Sequence, residues 1–126
     1  MILVDSSGWI EFFTGGPLAA EYSKYLKDLT RLVTPTIILY EVYKKIKKDR
    51  TEEDALFAVS LINRTSVIPL SESIALLAAD LSLKHSLPMA DAIVYATALE
   101  ENCKVVTSDT HLKGLDRAIL ISKEGG

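Results

Sequence analysis

Cysteine occurs once, at Cys103, and histidine twice, at His85 and His111, in a chain of 126 residues. A single thiol makes no internal disulfide and no thiolate zinc cage, and two imidazoles are too few for a histidine-based metal centre. Glycine and proline are sparse, at 6 and 4 residues, which excludes collagen-like and low-complexity chains. No apolar run approaches the ~20 residues of a membrane-spanning helix. The opening Met1-Ile2-Leu3-Val4-Asp5 has neither the basic nor the long apolar region of a secretion signal. The expected location is the cytoplasm. What is present is a 48% hydrophobic, 25% charged composition, which suits one folded domain over residues 1–126 whose stability comes from core packing.

The 14 basic and 17 acidic side chains give a net charge of −3, which argues against nucleic-acid binding driven by total charge. The charge is uneven, however. Residues 41–50 carry Lys44, Lys45, Lys47, Lys48 and Arg50 against Glu41 and Asp49, a local +3 beside −6 elsewhere. This run reads either as a phosphate-facing patch or as a solvated helix end, where the macrodipole favours each cation by about 0.3–1 kcal/mol.

Strand and helix signals alternate. Ile2-Leu3-Val4 reads as a buried strand, followed by a turn and cap at Asp5-Ser6-Ser7-Gly8 and a short helix over Trp9–Phe13. Gly15-Gly16-Pro17 breaks that helix, and Pro17 opens a second one to about Leu29, with an apolar face of Leu18, Tyr22, Tyr25, Leu26 and Leu29. Arg31-Leu32-Val33 is the second strand. Thr34 as N-cap and Pro35 as first helical residue then start the helix that carries Glu41 and the basic run. Thr51 caps a helix from Glu52 to about Asn63, and Ser66-Val67-Ile68-Pro69 is the third strand. A helix from Ser71 to about His85 has Ile74, Leu77, Ala78 and Leu81 at helical spacing. Met89–Leu99 is apolar nearly all round and should be central. Lys104–Thr107 and Ala118–Ile121 complete five strands, and the tail Ser122–Gly126 is expected to fray. Such alternation predicts a three-layer α/β/α fold around a parallel sheet of four to five strands.

In an open parallel sheet the ligand crevice lies beyond the carboxyl ends of the strands. Acids gather there: Asp5 directly after the first strand, Asp109 two residues after the fourth, Glu41 about two turns into the helix leaving the second, and Asp91 at the start of the helix feeding the fourth. Each alone could be a cap or turn residue. Asp5 and Asp91, though, sit in strongly apolar flanks, where an unpaired charge is costly. If the strand ends are neighbours, the four converge. Two carboxylates ~4 Å apart repel by about 4 kcal/mol at an effective dielectric of about 20, so such a cluster calls for a cation. An all-oxygen set suits Mg²⁺ or Mn²⁺, and such an ion in an α/β crevice points to phosphodiester hydrolysis. No P-loop, Ser-His-Asp arrangement or dinucleotide fingerprint is present.

With these residues in place, the sequence resembles the PIN-domain ribonucleases, and within them the small VapC-type toxins of toxin–antitoxin pairs. The resemblance rests on Ile2–Ile10, Thr34–Val42, Leu87–Ala98 and Val105–Asp109, and it spans nearly the whole chain. It implies a metal-dependent endoribonuclease in which Asp5, Glu41, Asp91 and Asp109 bind Mg²⁺ or Mn²⁺, with the Ser6 and Thr107 hydroxyls beside the metal. It further implies a homodimer and a cognate VapB-type antitoxin whose C-terminal segment crosses the crevice. The family often has an aromatic residue three positions after the fourth acid, where Leu112 stands here.

Lys44, Lys45, Lys48 and Arg50 are candidates to hold the flanking RNA backbone. Tyr40, Tyr43 and Tyr95 are candidates for base stacking or for plain packing, and Trp9, Phe12 and Phe13 for a partner surface or the core. His111 reads as a solvent-exposed turn residue within reach of a phosphate, and Cys103 as a small core hydrophobe. The rival readings are a catalytically silent RNA- or protein-binding module of the same fold and an RNA-processing nuclease outside a toxin–antitoxin pair. A haloacid-dehalogenase-type phosphatase would need an Asp where Ser7 stands. A receiver domain would need an acceptor Asp where Pro69-Leu70 stands.

Overall fold

The computed structural model describes residues 1–122. Its strands are β1 (Ile2–Val4), β2 (Val33–Pro35), β3 (Ser66–Ile68), β4 (Lys104–Thr107) and β5 (Ala118–Leu120), and its helices are α1 (Ser6–Thr14), α2 (Ala19–Ser23), α3 (Thr36–Asp49), α4 (Glu52–Ile62), α5 (Glu72–His85) and α6 (Met89–Glu100). All pairing is parallel, in two groups, β1-β4-β5 and β2-β3, joined by a bridge between Ile2 and Leu32. The spatial order is therefore β3-β2-β1-β4-β5, which changes direction at β1. That junction is the switch point at which open α/β sheets place their ligands.

The helices follow from local chemistry. Val42 lies one turn after Ile38 and one before Ile46, and all three are buried, so α3 presents one apolar stripe to the core. Thr51 caps α4 by accepting from Asp54 N–H at 3.0 Å, and Ser71 caps α5 by accepting from Ile74 N–H at 3.1 Å. Residues Ala92 to Ala98 of α6 are all buried, which makes this the central helix that its apolar composition implies. Gly8 lets α1 lie flat on the core: a Cβ there would stand 2.5 Å from the Tyr22 ring and 2.6 Å from Val4 Cγ1.

Several boundaries differ from the sequence reading. Helix α1 starts at Ser6, not Trp9, because Asp5 itself is the N-cap and accepts from Ser6 N–H at 2.8 Å. The helix expected from Pro17 to Leu29 is only Ala19–Ser23, followed by turns and a 3-10 turn at Leu29–Arg31. Asp28 Oδ1 accepts from Thr30 N–H at 3.1 Å and from its hydroxyl at 2.6 Å, a local alternative to helix continuation. The second strand runs over Val33–Pro35 and not Arg31–Val33, so α3 begins at Thr36 with Pro35 as N-cap. Thr34 cannot cap, since its buried hydroxyl is paired with that of Thr65 at 2.7 Å. The fifth strand stops at Leu120. Beyond Ser122, the tail expected to fray lies outside the described residues.

Among the described residues no helix is long and apolar enough to cross a membrane. Cys103 and Leu112 are fully buried, so Leu112 is an aliphatic core residue.

Candidate active site

The register of β1 on β4 pairs Val4 with Val106, and one step further places Asp5 beside Thr107. Asp5 N–H donates to the Val106 carbonyl at 2.9 Å. Its buried carboxylate receives the Thr107 hydroxyl on Oδ2 at 2.8 Å and Ser6 N–H on Oδ1 at 2.8 Å. Burial raises the Asp5 pKa; the Thr107 and Ser6 hydrogen bonds oppose this, and the charge of Asp109 adds to it.

Thr107 also fixes the next acid. Its Oγ1 accepts from Asp109 N–H at 2.9 Å, so one hydroxyl links the two acids that follow β1 and β4. Asp109 caps the 3-10 turn Thr110–Leu112, accepting from His111 N–H at 2.9 Å. The same turn brings His111 Nδ1 to 2.8 Å from Asp109 Oδ1 and 3.3 Å from Asp91 Oδ2.

Asp91, in the first turn of α6, is hydrogen-bonded to Asp109. Burial, that bond and the nearby charges of Asp109 and Asp5 push its pKa up to about 7. Asp109 moves the other way. Burial alone would raise it, but the His111 N–H, the hydrogen bond with Asp91 and the His111 ring together hold it below its ordinary value. The pKa values of the two neighbours are thus pushed apart, Asp91 up and Asp109 down. Crowding therefore does not raise all four acids alike: Asp5, Glu41 and Asp91 are raised and Asp109 is lowered.

Glu41 reaches the cluster from α3. Its pKa is raised by burial and by the charges of Asp5 and Asp109, while the Ser6 side chain hydrogen-bonds it. Glu41 feels the charges of Asp5 and Asp109, and Asp91 feels the same two, but not all four stand at ligand distance. The set whose ligand atoms lie within 4.8 Å of one another, among the described residues, is Asp91, Asp109 and His111. Sequence reasoning left His111 outside this set; the signal was the Asp109-x-His111 spacing, which fits a side-chain-capped turn.

Beside Glu41, a groove of about 340 Å³ is lined by Ser6, Ile10, Tyr40, Lys44, Lys45 and Lys48. Lys44 stands over the Tyr40 ring and donates to its hydroxyl at 3.2 Å, and Lys45 pairs with Asp49 at 2.9 Å. Arg50 does not join them. It lines a separate hollow with Phe13, Thr14, Ile46, Asp54 and Phe57, and it approaches the Thr14 carbonyl at 3.5 Å. Tyr43 is engaged by Lys47, and the buried Tyr95 donates its hydroxyl to the Asp116 carbonyl at 2.9 Å while His85 meets its ring edge. Trp9 stacks on Phe13 inside the core, while the exposed Phe12 and Phe57 meet Phe13 edge-on.

A parallel α/β sheet with carboxylates from helices and strand ends gathered at its switch point defines a class of domain. A family model for the PIN domain matches residues 2–118, and the chain belongs to that family. Solved structures agree on the fold. A toxin–antitoxin complex from Klebsiella pneumoniae superposes with a TM-score of 0.80 at 23% identity, covering 94% of this chain and 96% of that one. VapBC2 of Rickettsia felis, bound to a promoter DNA fragment, gives 0.75 at 18% identity with 96% and 98% coverage. VapC20 of Mycobacterium tuberculosis, described as a sarcin-ricin loop cleaving toxin, gives 0.74 at 14% identity with 97% and 90% coverage. No curated protein sequence matches significantly.

Proposed function

We propose that this PIN domain, acting as one unit over residues 1–126, is a divalent-metal-dependent endoribonuclease of the VapC type. The observation that carries this reading is the meeting of Asp5, Glu41, Asp91 and Asp109 at the carboxyl ends of β1, β2 and β4, with no lysine or arginine paired to any of them among the described residues. The Asp91 pKa, raised to about 7 first by burial and then by Asp109 and Asp5, fits a half-buried carboxylate set beside other acids. The oxygen-rich donor set fits Mg²⁺ or Mn²⁺.

Asp5, Glu41, Asp91 and Asp109 would hold that ion. When bound, it supplies a polarised phosphoryl oxygen and an acidified water for hydrolysis of the phosphodiester. Thr107 orients Asp5 and the Asp109 backbone together, and Ser6 orients Glu41. Lys44, Lys45 and Lys48 line the groove next to Glu41, where they take the phosphates of RNA running into the site. Arg50, on its separate hollow, is not assigned to this track.

The partner is a VapB-type antitoxin, in line with neighbours that are themselves toxin–antitoxin complexes; an acidic centre of this kind attracts a cationic side chain from such a partner. The working form is a cytoplasmic homodimer.

The test is cleavage of total cellular RNA by the purified, antitoxin-free protein with Mn²⁺ or Mg²⁺, with new 5′ ends mapped beside EDTA and Asp91→Asn controls. Discrete ends that disappear in both controls are expected. A folded protein that yields no such ends with either ion overturns the nuclease reading in favour of a binding module.

A further inference from the structure

We propose that His111 is a ligand of the ion held by Asp91 and Asp109, and that its ring nitrogen biases this centre towards Mn²⁺ over Mg²⁺. The inference rests on the metal-dependent reading above and assigns a residue that the acidic quartet does not include.

Three observations support it. Nδ1 of His111 lies 2.8 Å from Asp109 Oδ1 and 3.3 Å from Asp91 Oδ2. Adjacent ligand atoms around an octahedral ion with bonds of about 2.1 Å are separated by about 3 Å, so both spacings match neighbouring corners of one coordination shell. The main chain that carries the ring is also fixed, and the ring itself is held by the contact of Nδ1 with Asp109 Oδ1 at 2.8 Å. Asp109 caps the turn through His111 N–H at 2.9 Å, Leu112 N–H bonds the Asp109 carbonyl at 3.2 Å, and the Leu112 side chain is fully buried directly behind. The buried plug and the cap hold residue 111 over the carboxylates. Finally, His111 is 57% exposed, so the proton that coordination through Nδ1 leaves on Nε2 can be hydrated.

The chemical consequence follows from donor type. Mg²⁺ strongly prefers oxygen and retains its waters, whereas Mn²⁺ accepts a nitrogen donor alongside carboxylates. A centre that adds one imidazole to its carboxylates therefore gains more with Mn²⁺ than one of carboxylates alone.

The test uses the full chain at one fixed pH for wild type and variants, with Mn²⁺ as the probe. Electron spin-echo modulation of bound Mn²⁺ is expected to show ¹⁴N coupling from a directly bonded imidazole in the wild type. That coupling is expected to vanish in His111→Asn, which keeps an amide near the Nδ1 position, and in His111→Ala. The Mn²⁺ to Mg²⁺ affinity ratio, from competition titrations, is expected to fall by about 10-fold in both variants, the lower end of what perturbing a metal's surroundings costs. Mn²⁺ that binds in an Asp91-dependent way without ¹⁴N coupling, or with an unchanged ratio in both variants, overturns the role of His111 while leaving the metal reading standing. Absence of any Asp91-dependent Mn²⁺ binding overturns both.

Discussion

The Thr107 hydroxyl donates to Asp5 Oδ2 at 2.8 Å, joining residues 102 positions apart in the chain. Because the same oxygen accepts from Asp109 N–H at 2.9 Å, it both donates and accepts, and it sets the spacing between the acid after β1 and the acid after β4.

Thr107→Val removes both hydrogen bonds while keeping the shape. Divalent-ion affinity is expected to fall by about 10- to 100-fold, the usual cost of losing a group that orients a metal ligand. Thr107→Ser, which retains the hydroxyl, is expected to recover most of it. Isothermal titration with Mn²⁺ distinguishes the two; equal affinities for Val and Ser would remove Thr107 from the site's organisation.

The Asp91 carboxyl predicts an unusual pH dependence of stability. Its pKa rises from an ordinary 3.8 to about 7 in the folded chain, so between those values the native state binds more protons than the unfolded state. Its stabilisation is complete below about 4 and is lost as pH rises through about 7. Metal-free protein should therefore melt at a higher temperature at pH 5.5 than at pH 8, and Asp91→Asn should flatten that slope. Below about pH 4 the acids with lowered pKa, Asp28, Asp49 and Asp109, act in the opposite sense, so the comparison belongs above that range. A melting temperature that climbs steadily from pH 5.5 to 8 would contradict this.

The groove beside Glu41 separates two groups within one basic run. Lys44→Glu with Lys48→Glu should weaken RNA binding and reduce the slope of log affinity against log salt by about 0.7 for each phosphate that is no longer neutralised. Arg50→Glu should leave both unchanged, since Arg50 faces a different hollow. Fluorescence anisotropy with single-stranded RNA at several salt concentrations reads both quantities. Similar losses for the lysine pair and for Arg50 would mean that only total charge matters.

Gly8→Ala is expected to destabilise the fold by about 1–3 kcal/mol, the range for overpacking a tight core. The added methyl would meet the Tyr22 ring and Val4, both fully buried and neither free to swing away. Urea unfolding measures it. At Gly16 the clash would be with the end of the Glu11 side chain, which can move, so Gly16→Ala should cost less.

Much of the site was legible because parallel strands dictate where acids must stand to meet. Counting from strand ends puts Asp5 and Asp109 on one edge of the sheet, and the structure places them there, linked through Thr107. What the sequence hid was decided by competition between equally plausible local bonds. Thr34-Pro35 has the form of a helix start, yet the Thr34 hydroxyl is taken by Thr65 and the helix starts at Thr36. Leu18, Tyr22 and Leu26 are buried as a helical face requires, but the backbone leaves the helix at Ser23 because the Asp28–Thr30 bonds organise a separate turn. His111 was invisible as a neighbour of the acids because its position depends on a side-chain-capped turn, and residue type alone cannot report the direction of such a turn.

Among the described residues, the two strand groups are joined in the sheet by the bridge between Ile2 and Leu32. Asp5 and Asp109 follow strands of one group, and Glu41 follows a strand of the other. A small shear along that seam would carry Glu41 towards or away from its companions without breaking the Asp5–Thr107–Asp109 linkage. The spacing of Asp5 and Asp109 is thus set by hydrogen bonds within one strand group, and that of Glu41 by how the two groups are joined.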